Sequence, residues 1–167
     1  MNTLIDANIE ALGALCLARG IRCAAAESCT GGMLGAYMTR LPGASRWFTG
    51  GIVAYDNLVK TRLLGVEPEL LREHGAVSGQ AALRMAQGVR NLLHVHAALS
   101  ITGIAGPDGG SPEKPVGLVW IGCALHDAAQ ARAFHFQGSR EEVRQAACAE
   151  AIRCLLALVR RTLSPHA

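Results

Sequence analysis

Apolar and polar positions along this chain repeat with two periods, and each change of period marks a new element. From Leu4 to Ala18, apolar residues at 4, 5, 9, 12, 15 and 16 recur at helical spacing, with Thr3 able to cap and Gly20 able to end the helix in a left-handed turn. Ile21 to Ala26 reads as a short strand that stops at a polar cluster, Glu27-Ser28-Cys29-Thr30. Two glycines, Gly31 and Gly32, then open a helix expected to run to about Arg40, ahead of Leu41-Pro42-Gly43. Trp47 to Tyr55 is aromatic and β-branched, a second strand. A helix between two strands predicts parallel pairing with a right-handed crossover.

Three helices follow. Asp56 and Asn57 are cap candidates for the first, which closes at Gly65; Pro68 starts the second, which ends at Gly75; Ser78 caps the third, to about Leu93. Ala82, Met85, Ala86, Val89, Leu92 and Leu93 share one face of that third helix. Ala97 to Thr102 is an unbroken apolar strand ending, like the first, in a polar residue and a glycine, Thr102-Gly103. After a loop rich in Gly and Pro, Gly117 to Leu125 reads as a fourth strand and Ala131 to Gln137 as a half-exposed fifth. With no helices between them, the last three strands are expected to form an antiparallel meander. Ser139 and Glu142 form a capping box for a last helix to about Thr162. The pattern contains no repeat or linker, so residues 1–167 are expected to form a single domain.

Composition sharpens this reading. Half of the residues are apolar (50%) and only 17% are charged, below the roughly 25% typical of soluble domains, so a sheet covered on both faces or a subunit interface must bury much of the chain. A net charge of +3 without a Lys/Arg run gives no nucleic-acid or membrane surface. The six cysteines contain no C-x-x-C and no zinc-like spacing, which points to free thiols in a reducing compartment and to no metal site. No basic n-region with an apolar block opens the chain, and no apolar run approaches the ~18 residues of a membrane span, so a cytoplasmic protein is expected.

The candidate chemistry gathers where strands end. Ser28 stands at a strand exit beside the N–H groups of Thr30, Gly31 and Gly32, which could hold an oxyanion or phosphate; it is either a nucleophile or a hydrogen-bonding cap. Glu27 is either an anchor for the turn or a ligand for substrate hydroxyls. None of the six histidines, from His74 to His166, falls at a predicted strand exit, and His135 is expected mid-strand. Lys60 follows Tyr55 by about a turn and a half of helix. It is either a solvated surface lysine or, if desolvated, a base that would complete a Ser/Lys arrangement with Ser28 and Tyr55. The loop carrying Gly103 and Gly106 could offer N–H groups to a phosphate, and Arg140 is either a phosphate clamp or an ordinary surface charge.

The runs A-A-E-S-C-T-G-G (25–32), L-P-G-A-S-R-W-F-T-G-G-I-V-A-Y (41–55) with Asn57 and Lys60, L-L-G-V (63–66), H-G-A-V-S (74–78) and T-G-I-A-G-P-D-G-G-S-P-E-K-P-V-G-L-V-W (102–120) together resemble the CinA C-terminal domain family, over about residues 5–160. That family includes stand-alone amidases, and this chain is similar to that short form. The resemblance implies a three-layer α/β/α fold with a mixed, mainly parallel five-stranded sheet. It also implies hydrolysis of nicotinamide mononucleotide to nicotinate mononucleotide and ammonia, without metal or cofactor, in a homo-oligomer. On this resemblance the catalytic serine falls on Ser28, the tyrosine on Tyr55 and the lysine on Lys60. A further functional serine falls on Ser45, and a late arginine on Arg140 or its neighbour Arg144. Thr102, Gly103 and Gly106 join Glu27 and Thr30 to Gly32 as expected substrate contacts. The chain departs from the family pattern at Asp56, where relatives commonly carry a small hydroxyl residue, and at Gly138-Ser139-Arg140, where Gly-Asp-Arg is usual. The alternative function is a nucleotide-binding module without turnover, acting in a competence or DNA-damage response.

Overall fold

The computed structural model describes residues 3–162; the Thr3 side chain, expected to cap, and His166 lie outside what is described. Twelve elements follow in order: α1 (Thr3–Arg19), β1 (Cys23–Glu27), α2 (Met33–Met38), a 3₁₀ turn (Ala44–Arg46), β2 (Phe48–Val53), α3 (Asn57–Leu64), α4 (Pro68–His74), α5 (Gly79–Leu92), β3 (Ala97–Gly103), β4 (Leu118–Leu125), β5 (Ala128–His135) and α6 (Arg140–Arg161). The strands form one mixed sheet in the order β2-β1-β3-β4-β5. β1 pairs in parallel with β2 and β3, and β3-β4-β5 is the expected antiparallel meander. Four strands therefore run the same way and β4 runs against them.

Strand alternation assigns the two faces. Cys23, Ala25, Leu99 and Ile101 point to a layer made of α1, α2 and α6, with Ile9, Leu12, Leu34 and Ile152 packed against them. Ala24, Ala26 and Ala98 point to the other layer, where Met85 and Val89 of α5 meet Leu64 and Val66 after α3. The small residues of β1 let helices approach from both sides. Gly88 serves the same end between helices, since a methyl group there would overlap the Leu64 carbonyl oxygen.

Several boundaries differ from expectation for local reasons. α2 begins at Met33 rather than Gly31 because Gly31 and Gly32 take φ of +57° and +101°, outside the helical region. β5 begins at Ala128, paired with Leu125 across the tight turn at His126-Asp127, and ends at His135 rather than Gln137. His135 is thus the last residue of a strand, yet β3 and β4 separate it from β1. The caps follow the sequence. Asp56 accepts from the Leu58 N–H at 2.7 Å, Ser78 caps α5, and Ser139 and Glu142 make the reciprocal box at α6.

Replacing Gly88 with Ala forces the α3–α5 corner apart. Chemical denaturation is expected to show a loss of about 2 kcal/mol, in the range of overpacked cores, whereas wild-type stability would mean that the corner yields freely.

Candidate functional site

Three chain segments meet at the carboxyl ends of β1, β2 and β3. Ala54 donates its N–H to the Glu27 carbonyl at 2.7 Å, and Ser28 donates its N–H to the Ile101 carbonyl at 2.9 Å. These bonds carry the three strands past their ladder and hold Ser28 next to the start of the 54–56 segment. Ser28 is largely buried at the mouth of the sheet, 9% exposed.

Glu27 is the anchor of this turn. Its carboxylate, almost fully buried, accepts from the N–H groups of Gly32 (3.0 Å), Leu34 (3.0 Å) and Gly35 (2.8 Å), so it caps α2 from the end of β1. With both oxygens committed to main-chain donors, Glu27 is not free for substrate hydroxyls, which corrects the expectation of a binding role. The same bonds narrow the proposed anion cradle. Gly32 gives its N–H to Glu27 and Gly31 gives its own to the Ser28 carbonyl (3.1 Å). Among the described residues the N–H groups of Cys29 and Thr30 have no acceptor on another residue.

Lys60 is the most unusual group in the molecule. Only 1% of it is exposed, and its amine donates to the Tyr55 main-chain carbonyl at 3.0 Å. The first turn of α3, set by the Asp56 cap, folds the side chain back over the strand exits. Among the described residues it has no carboxylate within ion-pair distance. Desolvation lowers its pKa, partly offset by the charge of Asp56 and by Cys29. The solvated-lysine reading is therefore set aside.

Tyr55 is 60% exposed, and its phenol accepts from Arg140 Nη2 at 3.2 Å rather than from Lys60. Arg140 also donates to the Gly106 carbonyl at 2.7 Å, so its guanidinium spans from the β2 exit to the glycine loop. Arg144, one turn further along α6, donates to the Thr30 carbonyl at 2.8 Å. Both arginines thus reach this end of the sheet.

Other expected contacts are engaged in structure. The Thr102 hydroxyl donates to the Ala76 carbonyl (2.7 Å), pinning the α4–α5 turn, so it is not directed to a ligand. Gly103 lets β3 approach β4, where a side chain would strike the Leu118 carbonyl. Ser45 is exposed in the 3₁₀ turn before β2, and its carbonyl accepts from Arg22 ahead of β1. Within one chain it lies at the amino ends of the strands, roughly 20 Å of β2 away from Tyr55.

Pattern reading missed Cys29, which follows Ser28 and lies near Lys60, Arg140 and Arg144. Burial pushes its thiol up to about 11 against the pull of both arginines, so it is neutral at pH 7 and a poor nucleophile. Clefts of about 400 Å³ open elsewhere. The one between α1 and the Leu41–Trp47 segment contains neither hydroxyl nor amine side chains, so chemistry rather than volume marks the site.

Residues 6–159 match the CinA C-terminal domain. The chain belongs to that family. It is 47% identical over 140 residues, 83% of this chain and 34% of the relative, to a competence-damage inducible protein of Moorella thermoacetica. It is 55% identical over 119 residues, 71% of this chain and 28% of the relative, to a CinA-like protein of Synechococcus sp.. The chain thus spans about a third of the length of these curated CinA relatives. Among solved structures, the competence/damage inducible protein CihA from Agrobacterium tumefaciens superposes with a TM-score of 0.90 at 36% identity, covering 93% of this chain and 95% of that one. The mixed five-stranded sheet with helices on both faces is therefore the CinA fold. No helix among the described residues is long and apolar enough to cross a membrane.

The burial of Lys60 has a measurable signature. Between its lowered midpoint and the ordinary lysine value of 10.5, the unfolded chain binds more protons than the native one, so the Lys60 contribution to stability rises with pH. Lys60→Met is expected to melt higher than wild type at pH 7, with the gap narrowing toward pH 10. A lower melting temperature at every pH would show that the amine stabilises the fold.

Proposed function

We propose that this domain is an amidase that hydrolyses nicotinamide mononucleotide to nicotinate mononucleotide and ammonia. The observation that carries the reading is a buried lysine of lowered basicity at the strand exits that also hold a serine, Ser28. Ser28 Oγ attacks the carboxamide carbon while the neutral Lys60 amine takes its proton. The cationic pyridinium ring of the substrate draws electrons from that carbon and eases the attack. The N–H groups of Cys29 and Thr30 support the developing oxyanion. Protonated Lys60 then gives its proton to the departing nitrogen, and ammonia leaves an ester on Ser28. Water, deprotonated by Lys60, cleaves the ester and returns Ser28 and the carboxylate.

Tyr55 acts apart from the proton transfer, since its phenol is bonded to Arg140. It orients that guanidinium toward the substrate phosphate, with Arg144 as a second cation nearby. The rival, a nucleotide-binding module without turnover, shares the arginines but has no use for a desolvated amine.

One assay separates the two. With nicotinamide mononucleotide, wild-type protein is expected to release ammonia, and Ser28→Ala and Lys60→Ala to lose at least 100-fold in rate, the order expected for a nucleophile or base. Saturable binding without ammonia would favour the module, and near-normal turnover in Lys60→Ala would exclude it as the base.

A further inference from the structure

Asp56 occupies a position with two physical consequences at once. Its carboxylate caps α3 through the Leu58 N–H at 2.7 Å, and its main-chain carbonyl accepts from Val59 (3.1 Å) and Lys60 (3.2 Å), so it fixes the turn from which the Lys60 side chain departs. The cap holds the carboxylate on the main chain, and no Asp56–Lys60 ion pair forms, while the amine turns to the Tyr55 carbonyl. A serine or threonine could make the same cap without the charge. The difference between Asp and a hydroxyl residue is therefore electrostatic rather than conformational.

We propose that Asp56 is a positioning residue for the Lys60 amine: it sets the helical turn that carries the base, and its fixed charge sets the pH range in which that base works. This rests on Lys60 being the base of the amidase reading. The groups acting on Lys60 are few. Asp56 faces it from the cap of its own helix and Cys29 from the β1–α2 turn, the latter neutral at pH 7. From α6, Arg140 and Arg144 act on Cys29 and are bonded to Tyr55, Gly106 and Thr30. Among the described residues Asp56 is thus the one anionic side chain acting on the amine, and it favours the ammonium form. Removing its charge while keeping the cap releases the proton at lower pH.

The sequence makes the test direct, because Lys60 and Lys114 are its only lysines. Protein grown on lysine labelled with ¹³C at the ε carbon gives two side-chain signals, and Lys114→Arg assigns them. In Asp56→Asn and Asp56→Ser, both able to cap, the Lys60 midpoint is expected to fall by about half a pH unit, the size of one screened charge at this range. The acidic limb of ammonia release should shift by the same amount in both variants. An unmoved Lys60 midpoint in two folded variants would overturn the proposal. A shifted midpoint in a protein that releases no ammonia would leave the coupling in place and remove the amidase reading instead. A change in melting temperature alone, without a change in midpoint, would reduce Asp56 to a cap.

Discussion

A buried amine without a counter-ion is the constraint around which this site is built. Lysine is among the residues least often fully buried, because desolvating an ammonium is costly unless it is paired. Among the described residues Lys60 has a single carbonyl acceptor, too little to replace the hydration an ammonium loses on burial. Everything that positions it, from the Asp56 cap to the exit of β2 beside Glu27, belongs to the scaffold. A stability-driven sequence would place a methionine or leucine there, so a lysine at this position points to chemistry.

The scaffold meets that demand by economy of small residues and by one carboxylate. Alanines in β1 let helices close on both faces of that strand, and the chain then turns on Gly31 and Gly32. Glu27 holds the turn by accepting three N–H groups at the start of α2, which keeps Ser28 at a fixed height above the sheet. The nucleophile candidate and the base candidate therefore sit on separate elements that are both tied to the end of β1. This matches the general rule that open sheets carry their sites outside the carboxyl ends of their strands.

Much of this was legible from the sequence, where local rules decide. Caps at Asp56, Ser78 and Ser139, stops at Gly65 and Gly75, and the meander after Ala97 are statements about neighbouring residues, and the structure agrees with them. The motif residues Ser28 and Lys60 were legible only as alternatives, because period and spacing do not report burial. The turning of Thr102 toward Ala76 and the span of Arg140 from Tyr55 to Gly106 depend on which face each strand presents and on contacts 26 to 85 residues apart. No local pattern encodes these. Ser45 was assigned by the resemblance alone, and within one chain the direction of β2 places it at the far end of that strand.

Mass spectrometry of protein quenched in acid during turnover of nicotinamide mononucleotide tests the central claim most directly. The account predicts an ester of the nicotinate nucleotide on the peptide containing Ser28, formed with a burst of ammonia equal in amount to the protein. An unmodified Ser28 peptide throughout turnover, with ammonia released at a steady rate from the first cycle, would contradict it.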